Sequence, residues 1–481
     1  MSTHISPSKF PLPVVGADLE VPLVLGGAVR YVNLDCAAST SCLRSVQDAV
    51  QSLLPWYGSV HRGAGFTATV TTDVLAASRD TVAGFLHARA DDAVVFTKNT
   101  TDALNLLAGA LPDDTTVITF ASEHHANLLP WRTGRHVHLL VPRSPEEALT
   151  RADMAFRAVR SRHRLLAVSG ASNVTGELWP IAEFSALAHR HGARIVVDAA
   201  QLAPHRSIDM TALGVDYVAL SGHKLYAPFG GGALVGRTDW LDVARPYLAG
   251  GGAVRRVTLA DVEWADGPAR HEAGTPNVVG AAALAAACRA LSRVGMASVA
   301  RHEKELLGVL TEGLKSIPGL EILSMWGPYS ARVGIVAFTV TGWHPGALAA
   351  ALSAEHGIGV RDGAFCAHPL LDALVGEGQV PAAVRASVGV GSTMTDVDRL
   401  IGALGDLCAR GPQWTYRVEH GRYVPDPDPR PRPLVHQDLT VGELHPRATS
   451  IAPCRHGAPN ATAGAHTEQP TPDRASRVDP H

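Results

Sequence analysis

The chain has 481 residues, 46% of them apolar, and a formal net charge of −3. That length accommodates more than one domain with a real core, and the near-neutral balance gives no footing for nucleic acid or an anionic membrane. No apolar run is long and clean enough to span a bilayer, and MSTHISPSKFPLPVV lacks a secretory apolar core and cleavage site, so a cytoplasmic location is expected.

Residues 1–30 read as an N-terminal arm that packs on a small domain. From about 31 the signals alternate. VVFT (94–97) precedes the helical pattern TTDALNLLAGAL, and TTVITF, HVHLLVP and RLLAVSG read as strands. ARIVVDAA (193–200) is short, apolar and β-branched, as a buried parallel strand requires, and it follows the helix-like IAEFSALAHRHG. DYVALSG and GGALVG add two strands. This alternation predicts an α/β domain over 31–290 with a mostly parallel sheet. A long helical stretch, roughly 278–315, leads into a different rhythm. RVGIVAFTV, a helix near 346–356, GIGVRDG and VRASVGV predict a small α+β domain over 291–410. Beyond it, PDPDPRPRP favours extended backbone, and the Ala-, Pro- and His-rich remainder of 411–481 offers little to bury.

Six cysteines stand at Cys36, Cys42, Cys288, Cys366, Cys408 and Cys454. None forms a CxxC pair, so neither a disulfide framework nor a compact zinc site is expected, and no metal is assigned. The 23 histidines are scattered.

ALSGHKLYAPFGGG (219–232) sets Lys224 between a small polar segment and a glycine-rich turn. A solvated loop lysine is one reading. The other is a primary amine for an aldehyde cofactor, which needs an anion near its ring nitrogen and donors for its phosphate. Asp198, near the end of ARIVVDAA, is costly to bury unless paired, so it either meets a cation or caps the next helix. Gln201 stands shortly after it. Thr100 and Thr101 fall at a predicted helix start, as phosphate ligands or as plain caps. Ser221 and His223 flank Lys224.

These residues sit in blocks that recur in order: YVNLDCAAS, VHRG, TTDALNL, EHHANLLPW, SNVTGE, VDAAQ, SGHK, RHEAGTPN, VRDGAFCAHPL and RAS. From about Tyr31 to Cys408 the sequence resembles the class V aminotransferase-like branch of pyridoxal phosphate enzymes, and within it the group II cysteine desulfurase and selenocysteine lyase family. The resemblance implies the type I fold, a large domain with a mostly parallel seven-stranded sheet plus a small α+β domain. It implies that Lys224 carries pyridoxal 5′-phosphate and moves the α-proton, and that His124 stacks on the ring and helps in proton transfer. Asp198 would pair with the pyridine nitrogen, Gln201 would contact the phenolic oxygen, and Asn173 would help fix cofactor or substrate. Thr100, Thr101, Ser221 and His223 would bind the phosphate. Thr275 would reach the phosphate of a neighbouring subunit, which implies a homodimer. Arg385 would hold the substrate carboxylate through a two-donor fork.

Cys366, in VRDGAFCAHPL, is either a buried inert thiol or, by the same resemblance, the persulfide-forming nucleophile, with His61, Arg62 and Arg361 as neighbours. The short loop resembles the desulfurase group that hands sulfur to a small acceptor protein, and 250–274 has the length of a protruding hairpin. The chain departs from that family at Ala364 and Phe365, where two histidines are common, at His368, where methionine is frequent, and at Cys36, where serine is usual. These departures leave open a C–S lyase acting on a cysteine conjugate. An aminotransferase or epimerase, whose chemistry needs no Cys366, and a sulfur-delivery scaffold, which would explain the proline-rich tail, also stay open.

Overall fold

The short apolar runs separated by helix-length segments become one seven-stranded sheet in the computed structural model, which describes residues 10–61, 63–376 and 381–431. Its strands are β1 (Ala93–Thr97), β2 (Thr115–Phe120), β3 (Arg135–Leu139), β4 (His163–Ser169), β5 (Arg194–Asp198), β6 (Tyr217–Ser221) and β7 (Gly232–Gly236), in the spatial order β1-β7-β6-β5-β4-β2-β3. Strand β7 runs antiparallel to both neighbours, and the other pairings are parallel.

Side chains alternate between faces along a strand, and both faces here are covered. Leu166, Val168, Ile195 and Val197 join the larger core with Val82, Phe156, Phe184 and Leu284. Their neighbours Leu165, Ala167 and Val196 join a second cluster with Leu104, Leu107 and Trp240. Wholly apolar strands follow from this double burial. At the carboxyl ends of the parallel strands the residues turn polar, with Ser169 beside Asp198 and Ser221 two residues beyond the neighbour of Asp198, Ala219. That end of an open α/β sheet is where ligands bind.

A second core lies C-terminal. Strands Leu320–Ile322, Ile335–Val340, Arg361–Gly363 and Ala383–Ser387 form an antiparallel sheet. Leu310, Phe338, Leu352, Val384 and Leu404 fill its interior. The arm attaches to this unit: Val24 N donates 3.0 Å to Ala354 O, and Val32 pairs with Ile358.

Two segments differ from the sequence reading. The stretch 278–315 is two helices, Val278–Val294 and Met296–Lys315, set 80° apart at Gly295, whose φ of +84° suits glycine. No single helix among the described residues is long and apolar enough to cross a membrane. The proline-rich extension begins with a hairpin, Tyr416–Glu419 against Arg422–Pro425. Its turn residues His420 and Gly421 both have positive φ, as a tight two-residue turn demands. Glu355 anchors it by accepting from the Gln413 amide and the Tyr416 hydroxyl. The predicted tail over 432–481 lies outside the described residues. The expected arm near 250–274 is a two-stranded hairpin, Val254–Val257 with Val262–Trp264.

The glycine run after Lys224 has a steric cause. A Cβ on Gly232 would stand 2.6 Å from Asn99 Cα, and one on Gly231 would stand 2.5 Å from Gly280 O. Only glycine lets β7 pass against Asn99, the cap of helix Thr100–Gly109. Gly232→Ala is expected to destabilise the protein by about 1–3 kcal/mol, the usual cost of overpacking. Chemical denaturation reads this, and an unchanged midpoint would contradict the steric argument.

Candidate active site

A cavity of about 550 Å³ opens at the carboxyl ends of the parallel strands, within the range of small-molecule sites, roughly 300–1,000 Å³. Thr100, Thr101, His124, Asn173, Asp198 and Gln201 line it from the large sheet's loops, as do Ser221, His223 and Lys224. Arg361, Cys366 and Arg385 close it from the small sheet.

Lys224 ends the one-turn helix Gly222–Lys224 that follows β6. Burial lowers its pKa to about 8 against the opposing pull of Asp198, with Arg385 adding to the depression. An amine in that state is a ready nucleophile toward an aldehyde. Asp198 is 6% exposed, and its Oδ1 accepts from the Ala200 amide at 2.9 Å. Burial raises its pKa, against that hydrogen bond and Lys224. A cationic ring nitrogen would relieve the desolvation.

Groups that could hold an anion gather where the helix Thr100–Gly109 begins. Asn99 caps it by accepting from the Asp102 amide. The Thr100 amide donates 2.8 Å to Ser221 Oγ, which in turn donates to Thr100 Oγ1 at 2.9 Å. This couples the helix start to β6, and Thr101 follows at a terminus suited to anions. Gln201 spends one amide hydrogen on Ala37 O at 2.7 Å. His124 Nδ1 accepts from the Ala126 amide at 3.0 Å, which leaves its proton on Nε2. Burial, then Lys224, lowers its pKa to about 3, so the ring is neutral at pH 7. The donor set, the buried carboxylate and the depressed lysine together fit pyridoxal phosphate.

Arg385 is 3% exposed. Its Nη1 donates 2.8 Å to Asn173 O, and its Nη2 lies 3.3 Å from Asp35 Oδ1. The Phe365 ring lies 5.0 Å from the guanidinium carbon. Nε is buried with no acceptor among the described residues, so one edge of the fork is open to a carboxylate. Arg361 pairs opposite Arg385 in the small sheet.

Phe365 and Cys366 have φ of +52° and +55°, unusual for residues with side chains and costing about 1–3 kcal/mol each. Asn173 Nδ2 donates 2.7 Å to Phe365 O, and the His125 amide donates 2.8 Å to Cys366 O. The loop is thus tied from both sides with Cys366 half-buried at the cavity.

Two expected residues lie elsewhere. His61 sits on an exposed turn tied to helix Phe66–Phe85, its amide donating 3.0 Å to Thr72 Oγ1, and it does not line the cavity. Thr275 is also exposed and outside the cavity of its own chain. Arg62 lies outside the described residues. Cys36 does not line the cavity either: it is directed toward Gly389, and burial pushes its thiol up to about 12.

Reading from motifs missed Asp35, the counter-ion of Arg385, though it lies in the block YVNLDCAAS. It also missed Glu177 in SNVTGE. That buried carboxylate accepts from the Thr175, Ser324 and Ser330 hydroxyls and the Met325 and Trp326 amides. It pins the Asn173 loop against the segment entering the small sheet. Both partners are remote in sequence, so only the fold reveals them.

The family described as aminotransferase class-V matches residues 32–400. A cysteine desulfurase of Klebsiella pneumoniae (strain 342) is 36% identical over 383 residues, 77% of this chain and 92% of that one. Probable cysteine desulfurase 2 of Mycobacterium leprae (strain TN) is 36% identical over 412 residues, 82% of this chain and 96% of its own. Among solved structures, the apo form of a cysteine desulfurase from Thermococcus onnurineus NA1 superposes with a TM-score of 0.74 at 31% identity, covering 84% of this chain and 100% of that one. An S-sulfonic acid form of an Escherichia coli cysteine desulfurase gives 0.70 at 32% identity, covering 79% and 94%.

The depressed Lys224 amine makes a direct prediction for the cofactor-free protein. Trapping of Lys224 by an aldehyde and borohydride should rise with pH through a midpoint near 8. An ordinary lysine would give a midpoint near about 10.4. A midpoint there, read by peptide mass spectrometry, would contradict the buried electrostatics described.

Proposed function

Because the chain belongs to the class-V aminotransferase family, we propose that it is a pyridoxal-phosphate-dependent cysteine desulfurase. It takes sulfur from L-cysteine, releases L-alanine and keeps the sulfur as a persulfide on Cys366. The observation that carries this reading is that Cys366 shares one cavity with Lys224 and with Arg385, whose Nε has no acceptor among the described residues.

Pyridoxal phosphate, when bound, supplies the electron sink that labilises the α-proton and the β carbon–sulfur bond. Lys224 would hold it, Asp198 would pair with its ring nitrogen, Gln201 would contact its phenolic oxygen, and His124 would stack on its ring. Thr100, Thr101, Ser221 and His223 would hold its phosphate. Arg385 takes the substrate carboxylate through Nε and Nη2, which orients the α-carbon toward Lys224. Asp35 gives up part of its hold on Arg385 as that carboxylate arrives. Arg361 adds positive charge at the same end, and Asn173 steadies the loop of Cys366.

Lys224 Nζ, once freed by the substrate amine, accepts the α-proton. The Cys366 thiolate attacks the substrate sulfur, so a sulfur–sulfur bond forms as the carbon–sulfur bond breaks. The electron pair of the broken bond stays with the alanine carbon skeleton, which is then protonated. One thiol and one cysteine become one persulfide and one alanine, and no outside oxidant is needed. An acceptor thiol, from a small protein or a reductant, then takes the outer sulfur.

The same reading includes a homodimer in which Thr275 reaches the partner's phosphate site. Its exposed position outside its own cavity supports this, as do the exposed Leu54, Trp56, Tyr57 and Phe66. The division of labour between domains is part of the proposal: 31–290 holds the cofactor, and 291–410 brings Cys366 and Arg385.

The test is to incubate the holoenzyme with L-cysteine and a thiol reductant, quantifying alanine and sulfide. Equal yields are expected, lost in Cys366→Ala while the cofactor absorbance persists. Pyruvate and ammonia, retained in that variant, would replace this reading with a β-lyase.

A further inference from the structure

Two histidines beside the cavity face each other, and neither lines it. His368 Nδ1 lies 3.0 Å from His125 Nε2, and the rings stack with centroids 4.8 Å apart at 13°. One ring donates and the other accepts, so the bond requires at least one neutral ring. Burial, then His368, lowers the pKa of His125, which keeps that ring neutral at neutral pH.

The contact straddles Cys366. His125 already holds the Cys366 carbonyl through its backbone amide, and His368 begins the short helix after the loop, His368–Val375. The rings therefore join the far side of the Cys366 loop to the segment that carries His124. On the near side, Asn173 holds Phe365 O. Left-handed backbone at two residues with side chains relaxes unless its surroundings over-determine it. The histidine contact supplies the constraint on the C-terminal side of the thiol.

We propose that the His125–His368 pair is a clasp that positions Cys366 for attack on the substrate sulfur. Both histidines are positioning residues, since neither lines the cavity. This inference rests on the desulfurase reading of Cys366. Substrate binding through Arg385 does not pass through the clasp, so its loss belongs in turnover and not in binding.

The bonded atoms dictate the variants. Asparagine at 368 puts an amide where Nδ1 stands, and leucine fills space without a polar atom. Holoenzyme carrying His368→Leu, His368→Asn or Cys366→Ala would be assayed for alanine from L-cysteine, with cofactor absorbance and thermal melts recorded. His368→Leu should lose about tenfold or more in kcat, in keeping with the sensitivity of attack geometry to small displacements. KM should hold, and His368→Asn should recover most of the rate. Wild-type kcat in His368→Leu overturns the clasp. So does an equal loss in both 368 variants, which would mark a packing role, or a loss confined to KM. Should His368→Leu fail to fold, His125→Leu against His125→Gln poses the same comparison from the other ring. Cys366→Ala separates two failures. Unimpaired alanine production there overturns the desulfurase reading itself, whereas an inactive Cys366→Ala beside an unimpaired His368→Leu overturns only the clasp.

Discussion

The buried guanidinium of Arg385 is the interaction on which the rest of the site depends. A cation taken out of water costs several kcal/mol unless partners replace its hydration. Here the partners come from three distant segments: Asp35 from the stretch just after the strand Val32–Asn33, the Asn173 carbonyl from the loop after β4, and the Phe365 ring from the loop of Cys366. Burial lowers the Arg385 pKa to about 10, which still leaves it a cation at neutral pH. The charge therefore draws loops of both sheets and the segment of Asp35 to one point, and it leaves Nε for a substrate. Loss of Asp35 would strand that cation, so the counter-ion is as much a part of the site as the arginine.

Around that point, burial moves three groups near the carboxyl ends of the large sheet's strands from their ordinary state. Lys224 is less basic, Asp198 is harder to ionise, and His124 is neutral. Behind them Glu123 accepts from the Ser169 amide and the Asn127 side chain, and burial raises its pKa to about 7. Perturbed groups of this kind gather at functional sites because chemistry needs them. The doubly covered sheet allows it: strands apolar on both faces end in polar residues that have nowhere to go but the cavity.

Much of this was legible in the sequence. The β-branched runs with helices between them announce a parallel sheet, because burial on both faces demands that composition. Lys224, Asp198, Ser221, Cys366 and Arg385 stood out as reactive residue types inside recognisable blocks, and one cavity gathers them. The contacts between remote segments were not legible. Asp35 and Glu177 act through partners far away in the chain, and the pairing of His125 with His368 depends on two loops meeting. Periodicity carries no information about such meetings. The break at Gly295 and the hairpin at 416–425 were missed for another reason: a single glycine and a two-residue turn decide them, against the weight of the surrounding composition. The position of His61 was not legible either: its block suggests proximity to Cys366, while a hydrogen bond to helix Phe66–Phe85 holds its turn outside the cavity of its own chain.

The central claim is that the sulfur of the substrate passes to Cys366. The most direct measurement is a single turnover of holoenzyme with stoichiometric L-cysteine and no reductant, followed by alkylation and peptide mass spectrometry. The expected result is one added sulfur on the peptide carrying Cys366, matched by one alanine per site. Alanine released with no sulfur on Cys366, or with the sulfur on Cys36 or Cys42 instead, would contradict it.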